Sequence, residues 1–125
     1  MAEKEWTSAQ LAAIGSRGSN LLVAAGAGSG KTAVLIQRIL TRILAENNPV
    51  DVDQLLVLTY TNAAAAEMRQ RLSAAIYEAL AERPNQPHLE RQLILLQRAQ
   101  ITTLHAFCLD TIKKYFYLLD LDPKA

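Results

Sequence analysis

Residues 24–32 read AAGAGSGKT, between the apolar run Leu21-Leu22-Val23-Ala24 and an amphipathic helical pattern. A glycine-rich turn in that setting has two readings, a flexible connection or a phosphate cradle. A cradle needs successive backbone N–H groups pointing inward, and glycine supplies the dihedrals and leaves room for oxygens. A lysine must then reach the β- and γ-phosphates, and a Thr or Ser hydroxyl must follow to hold Mg²⁺. Gly30-Lys31-Thr32 provides these in order, and the start of the following helix adds a favourable field for an anion. The pattern departs at its first position, where Ala25 stands in place of glycine, which is tolerable at negative φ. The strand–loop–helix context decides for the cradle. Ala25, Gly26, Ala27, Gly28, Ser29, Gly30, Lys31 and Thr32 are thus the expected nucleotide-binding residues, with Lys31 and Thr32 carrying the chemistry and ATP with Mg²⁺ as the cofactors.

The rest of the chain fits an α/β arrangement. Thr7-Ser8-Ala9-Gln10 has the form of a capping box, with Trp6 and Leu11 placed as a hydrophobic staple, so a short helix is expected over residues 8–14. Leu21 to Ala24 is expected as a strand buried on both faces. Val34, Leu35, Ile39, Leu40, Ile43 and Leu44 then recur at helical spacing until the sequence Asn-Asn-Pro at 47–49. Leu55 to Thr59 predicts a second buried strand. Met68, Leu72, Ile76 and Leu80 stripe a long helix that RPNQP at 83–87 breaks. Leu89, Leu93 and Leu96 mark another helix, residues 101–103 a third short strand, and Leu109, Ile112, Phe116 and Leu119 a last helix. Strands alternating with helices predict a parallel sheet with helices on its faces.

Composition sets the outer limits. Half of the 125 residues are hydrophobic and 20% are charged, enough apolar material for one domain or a piece of a larger one. A net charge of +1 gives no long-range pull on nucleic acid, so any such binding must come from locally placed groups. The one cysteine, Cys108, excludes an internal disulfide and reads as a buried small hydrophobe. No apolar run reaches spanning length and no signal sequence is evident, so a soluble cytoplasmic protein without a membrane role is expected.

Four segments narrow the function. WTSAQLAAI, the glycine-rich loop, LLVLTYTNAAAAEMRQRL and ITTLHAFCLDTIKKY occur in that order. Together they resemble the Q motif, motif I, motif Ia and the TxH-type motif of UvrD/Rep-like superfamily 1 helicases. TLHAFCLDTIKKYFYLLDLDP is similar to the AddA branch, the helicase–nuclease subunits of bacterial AddAB recombination complexes. The resemblance implies a P-loop NTPase (RecA-like) fold, with residues 1–125 as the N-terminal part of motor domain 1A. It implies ATP-driven unwinding and exonucleolytic processing of DNA ends in double-strand break repair and recombination. Single-stranded DNA, duplex ends and an AddB-type partner subunit would be the partners. Gln10 would read adenine, although completing the Thr7 cap competes for the same amide. Thr59, Tyr60, Thr61 and Asn62 would touch DNA, although Asn62 can equally cap the long helix and Tyr60 fill core. Thr103 and His105 match the backbone-touching TxH pair, and a structural histidine is the competing reading. His88, Lys113 and Lys114 carry no functional mark. Where many relatives have arginine after the P-loop Thr, this chain has Ala33.

Hydrolysis asks for more than a cradle: an acid that helps hold Mg²⁺ and a carboxylate that activates water. The family supplies them as an Asp-Glu pair after an apolar strand, and no such dipeptide occurs in these 125 residues. Asp110 and Asp120 fall on the expected last helix. The fragment alone is therefore expected to be inactive. A UvrD/Rep-type translocase without a nuclease, or a P-loop nucleotide-binding protein without DNA, remain as alternatives.

Overall fold

The computed structural model describes residues 5–22 and 30–120. Helix α1 spans Ser8–Gly15, α2 Lys31–Ile43, α3 Asn62–Glu82, α4 Pro87–Leu95 and α5 Leu104–Tyr115. Two short strands, β1 (Leu56–Thr59) and β2 (Gln100–Thr103), pair in parallel with Thr59 opposite Thr103. The chain between them crosses over through α3 and α4, as a parallel pair requires.

The main core is the meeting of α2, α3, α4 and the sheet. Ile43, Leu72, Ile76 and Leu89 are fully buried there, with Val57 and Ile101 contributed by the strands. The predicted stripe on α3 is borne out, since Met68, Leu72 and Ile76 are buried and Leu80 packs partly against them. A second cluster, Ala13, Ile14 and Val34, joins α1 to α2 and carries Trp6 on its flank. Leu11, the expected staple partner, is largely exposed.

Polar contacts tie the elements where the backbone would otherwise lack partners. Gln92 of α4 is wholly buried, yet its Oε1 accepts from Val52 N at 2.7 Å and its Nε2 donates to Asp51 Oδ1 at 2.9 Å. Both ends of the amide are thus satisfied, which is what permits its burial. His88 Nε2 lies 3.0 Å from the Ile43 carbonyl at the end of α2, giving this histidine a structural place. The Arg69 guanidinium donates to the carbonyls of Leu96, Ala99 and Ile101, fixing the approach to β2.

Several expectations need correction. Leu21 and Leu22 lie in no strand and are exposed, because no described strand pairs with them; Val23 and Ala24 lie outside the described residues. The described sheet has two strands, and the second half of the expected first strand lies outside the described residues. Strand β1 is buried on one face only, leaving Leu56 and Leu58 open on the other. Helix α5 forms as expected but buries none of its residues, so Leu109, Ile112 and Leu119 beyond it are exposed rather than packed. Cys108 shares that uncovered helix and is exposed, not buried. Asp110 does sit on α5, whereas Asp120 follows a short 3-10 turn at φ 54°, outside the helix.

Candidate nucleotide and nucleic-acid site

Gly30 sets the geometry at the start of α2. It holds φ 85° and ψ 21°, a left-handed conformation that favours glycine, and it is the N-cap residue. The first helical bond runs from Val34 N to the Gly30 carbonyl at 3.0 Å, so the N–H groups of Lys31, Thr32 and Ala33 lie at the open end of the helix. Lys31 is exposed and Thr32 partly buried in this first turn. An open helix start followed by a cation and a hydroxyl is a chemically competent anion seat. Ala25, Gly26, Ala27, Gly28 and Ser29 fall outside the described residues.

Gln10 comes to the same place from α1. The capping box is present in full: Gln10 N donates to Thr7 Oγ1 at 3.2 Å, and Thr7 N donates to Gln10 Oε1 at 2.9 Å. The other end of the amide faces α2, where a Cβ added to Gly30 would stand 3.4 Å from Gln10 Nε2. The cap thereby aims the amide nitrogen at the glycine that opens α2. The amide oxygen is thus engaged in the cap, and the amide nitrogen lies near Gly30.

A second group gathers at the carboxyl ends of β1 and β2, which the Thr59–Thr103 register holds level. Open parallel sheets present ligand crevices at this edge. Thr61, rather than Asn62, caps α3, its Oγ1 accepting from Ala64 N at 3.0 Å. A side-chain oxygen one residue earlier reaches the first-turn N–H, so Asn62 becomes the first helical residue and is exposed. Thr59 Oγ1 is positioned to donate to Thr61 O at 3.0 Å or Thr102 O at 3.3 Å. Tyr60 is 97% exposed and cannot be core. Thr103 is buried and caps α5 by accepting from Ala106 N at 3.0 Å, which leaves the exposed His105 as the outward member of its pair. The edge thus offers an aromatic face, a histidine and two helix starts. Arg69, within the segment at 55–72, and Gln92, in no motif, hold this framework together; the sequence alone singles out neither.

Among the described residues no group of three or more His, Cys, Asp or Glu could hold a metal, and no helix is long and apolar enough to cross a membrane.

The described residues form a mixed α/β frame in which a two-stranded parallel sheet packs against helices. Residues 6–125 match the model of the UvrD/REP helicase N-terminal domain, and the chain belongs to that family. It is 61% identical over 98% of its length to the ATP-dependent helicase/nuclease A-subunit of Desulforamulus reducens, of which it covers 10%. The proteins of the same name from Geobacillus thermodenitrificans and Clostridium beijerinckii are 59% and 58% identical, again over 98% of this chain and 10% of theirs. The chain thus spans about a tenth of the length of these curated relatives.

Proposed function

We propose that this chain is the ATP-binding portion of motor domain 1A of a larger helicase/nuclease polypeptide that unwinds and degrades DNA ends for recombinational repair. It would act in the cytoplasm with an AddB-type partner. The observation that carries the reading is the meeting of Gln10 Nε2 with left-handed Gly30 at the open start of α2. One residue there can recognise a base edge while the next turn receives phosphate. In this reading the chain is part of a P-loop NTPase fold, and the sequence Ala25 to Thr32 supplies the phosphate-binding residues. Lys31 neutralises the β- and γ-phosphates, and Thr32 is a magnesium ligand. Bound Mg²⁺ supplies charge neutralisation and fixes the phosphate geometry. At the sheet edge, Tyr60 stacks on a base while His105 and the start of α5 meet the sugar-phosphate backbone. Thr59, Thr61 and Thr103 hold these groups in place through their caps and turns, with Asn62 beside them at the first position of α3.

The two ends of the Gln10 amide separate cleanly by substitution. Gln10→Ala should cost about 0.5–1 kcal/mol of stability through the lost cap and narrow the preference for ATP over GTP. Gln10→Glu retains the accepting oxygen and removes the amide donor, so stability should hold while base preference still narrows. Melting curves and ATP and GTP affinities give the answer. Unchanged base preference in both variants would leave Gln10 with its capping role alone.

DNA binding by the full-length polypeptide tests the second half of the site. Tyr60→Ala should weaken binding to a single-stranded oligonucleotide by about 1–3 kcal/mol if a base stacks on the ring. His105→Ala should weaken it with little regard to sequence, because a backbone contact carries no base information. Wild-type affinity in both variants would reject the sheet edge as the DNA path.

A further inference from the structure

The flank of α2 carries a concentration of positive charge that the nucleotide and sheet-edge sites do not use. Arg38 and Arg42 stand one helical turn apart, and Arg38 Nη1 donates to the Ala13 carbonyl at 2.7 Å, which draws it against the end of α1. Arg17 follows that helix end directly and is exposed. Among the described residues no carboxylate pairs with any of the three. Partial burial, and then the positive fields of Arg38 and Arg17, hold the Arg42 guanidinium below its ordinary value. Like charges gathered without a counter-ion are unfavourable in the free protein, and an arriving polyanion relieves them.

We infer that Arg17, Arg38 and Arg42 form a docking patch for the phosphate backbone of duplex DNA. The inference rests on the proposed role in DNA-end processing. Charge density favours a duplex over other anions. Duplex DNA carries about one charge per 1.7 Å of axis, twice the density along one strand, so a cluster of uncompensated arginines gains most from it. Arg42 also lies about 16 Å along the helix from Lys31, clear of the phosphates of a bound nucleotide. The patch therefore grips the double-stranded part of a substrate without reading its sequence.

The test compares full-length wild type with Arg17→Gln/Arg42→Gln, leaving Arg38 to its bond with Ala13. Affinity for a short blunt-ended duplex is measured across a salt series, with a single-stranded oligonucleotide as the reference ligand. The double variant should bind duplex more weakly, and its slope of log K against log salt should be shallower by about 0.9 for each arginine removed. Single-strand affinity should be unchanged, and lysine at both positions should restore the slope. Arg17 makes no hydrogen bond or ion pair among the described residues, so Arg17→Gln alone supplies the measurement if the double variant loses stability. A wild-type slope in these variants overturns the patch, as does an equal loss for duplex and single strand. Unchanged DNA binding with loss of the AddB-type partner on purification would assign the patch to an acidic protein surface instead. A wild-type protein that binds no DNA at all would reject the proposed function itself, and that outcome is distinct from each of the others.

Discussion

Lys31→Ala is expected to cut ATP turnover by the full-length polypeptide about 10²–10³-fold and to weaken binding of an ATP analogue, with stability moved by only a few tenths of a kcal/mol. The two halves of that expectation have separate causes. Lys31 is exposed at the first position of α2 and lies outside both hydrophobic clusters, so truncating it removes no packing. Its charge, however, stands beside the open N–H groups of the first turn, where a developing phosphate charge would lose its nearest cation. Turnover, analogue affinity and a melting curve on the same two proteins check all three statements. Equal analogue affinity would remove the phosphate cradle, and a large drop in melting temperature would show that Lys31 supports the fold.

What the sequence made legible follows from which signals are local. The Thr7–Gln10 capping box forms as written because its partners are three residues apart and need no tertiary help. The α3 stripe at Met68, Leu72 and Ile76 was readable because four-residue spacing puts one face on the core whatever the topology. The cap of α3 falls one residue earlier than expected, at Thr61 instead of Asn62, since both side chains cap well and only backbone geometry chooses. Exposure was the least legible property. Leu109 and Ile112 have the spacing of a buried stripe, but periodicity says only that a helix has an apolar face, not that a neighbouring element covers it. Leu21 and Leu22 are exposed and in no strand, and the rest of that expected strand lies outside the described residues. For the candidate site, the sequence named residues one at a time and carried no signal of how they sit together in space. The closeness of the Gln10 amide to Gly30 is one example, because it depends on how α1 packs against α2.

The second large effect concerns the division of the ATP site. In the proposed reading Lys31 and Thr32 bind phosphates, but hydrolysis also needs a water-activating carboxylate and cations facing the γ-phosphate from across the cleft. These 125 residues contain no Asp-Glu pair, and among the described residues no acidic cluster is suited to a metal. Asp110 is on the exposed outer surface of α5. The opposing arginines alone are worth about 10³–10⁵ in rate, so a module holding only the cradle should turn over ATP near background. The deciding measurement is ATP hydrolysis by purified residues 1–125, with and without single-stranded DNA, against the Lys31→Ala variant as blank. The account predicts a rate no higher than the blank in either condition, with phosphate binding retained by the wild-type sequence. Robust, DNA-stimulated hydrolysis above the blank would contradict it, by showing that the hydrolytic carboxylate already lies within these residues.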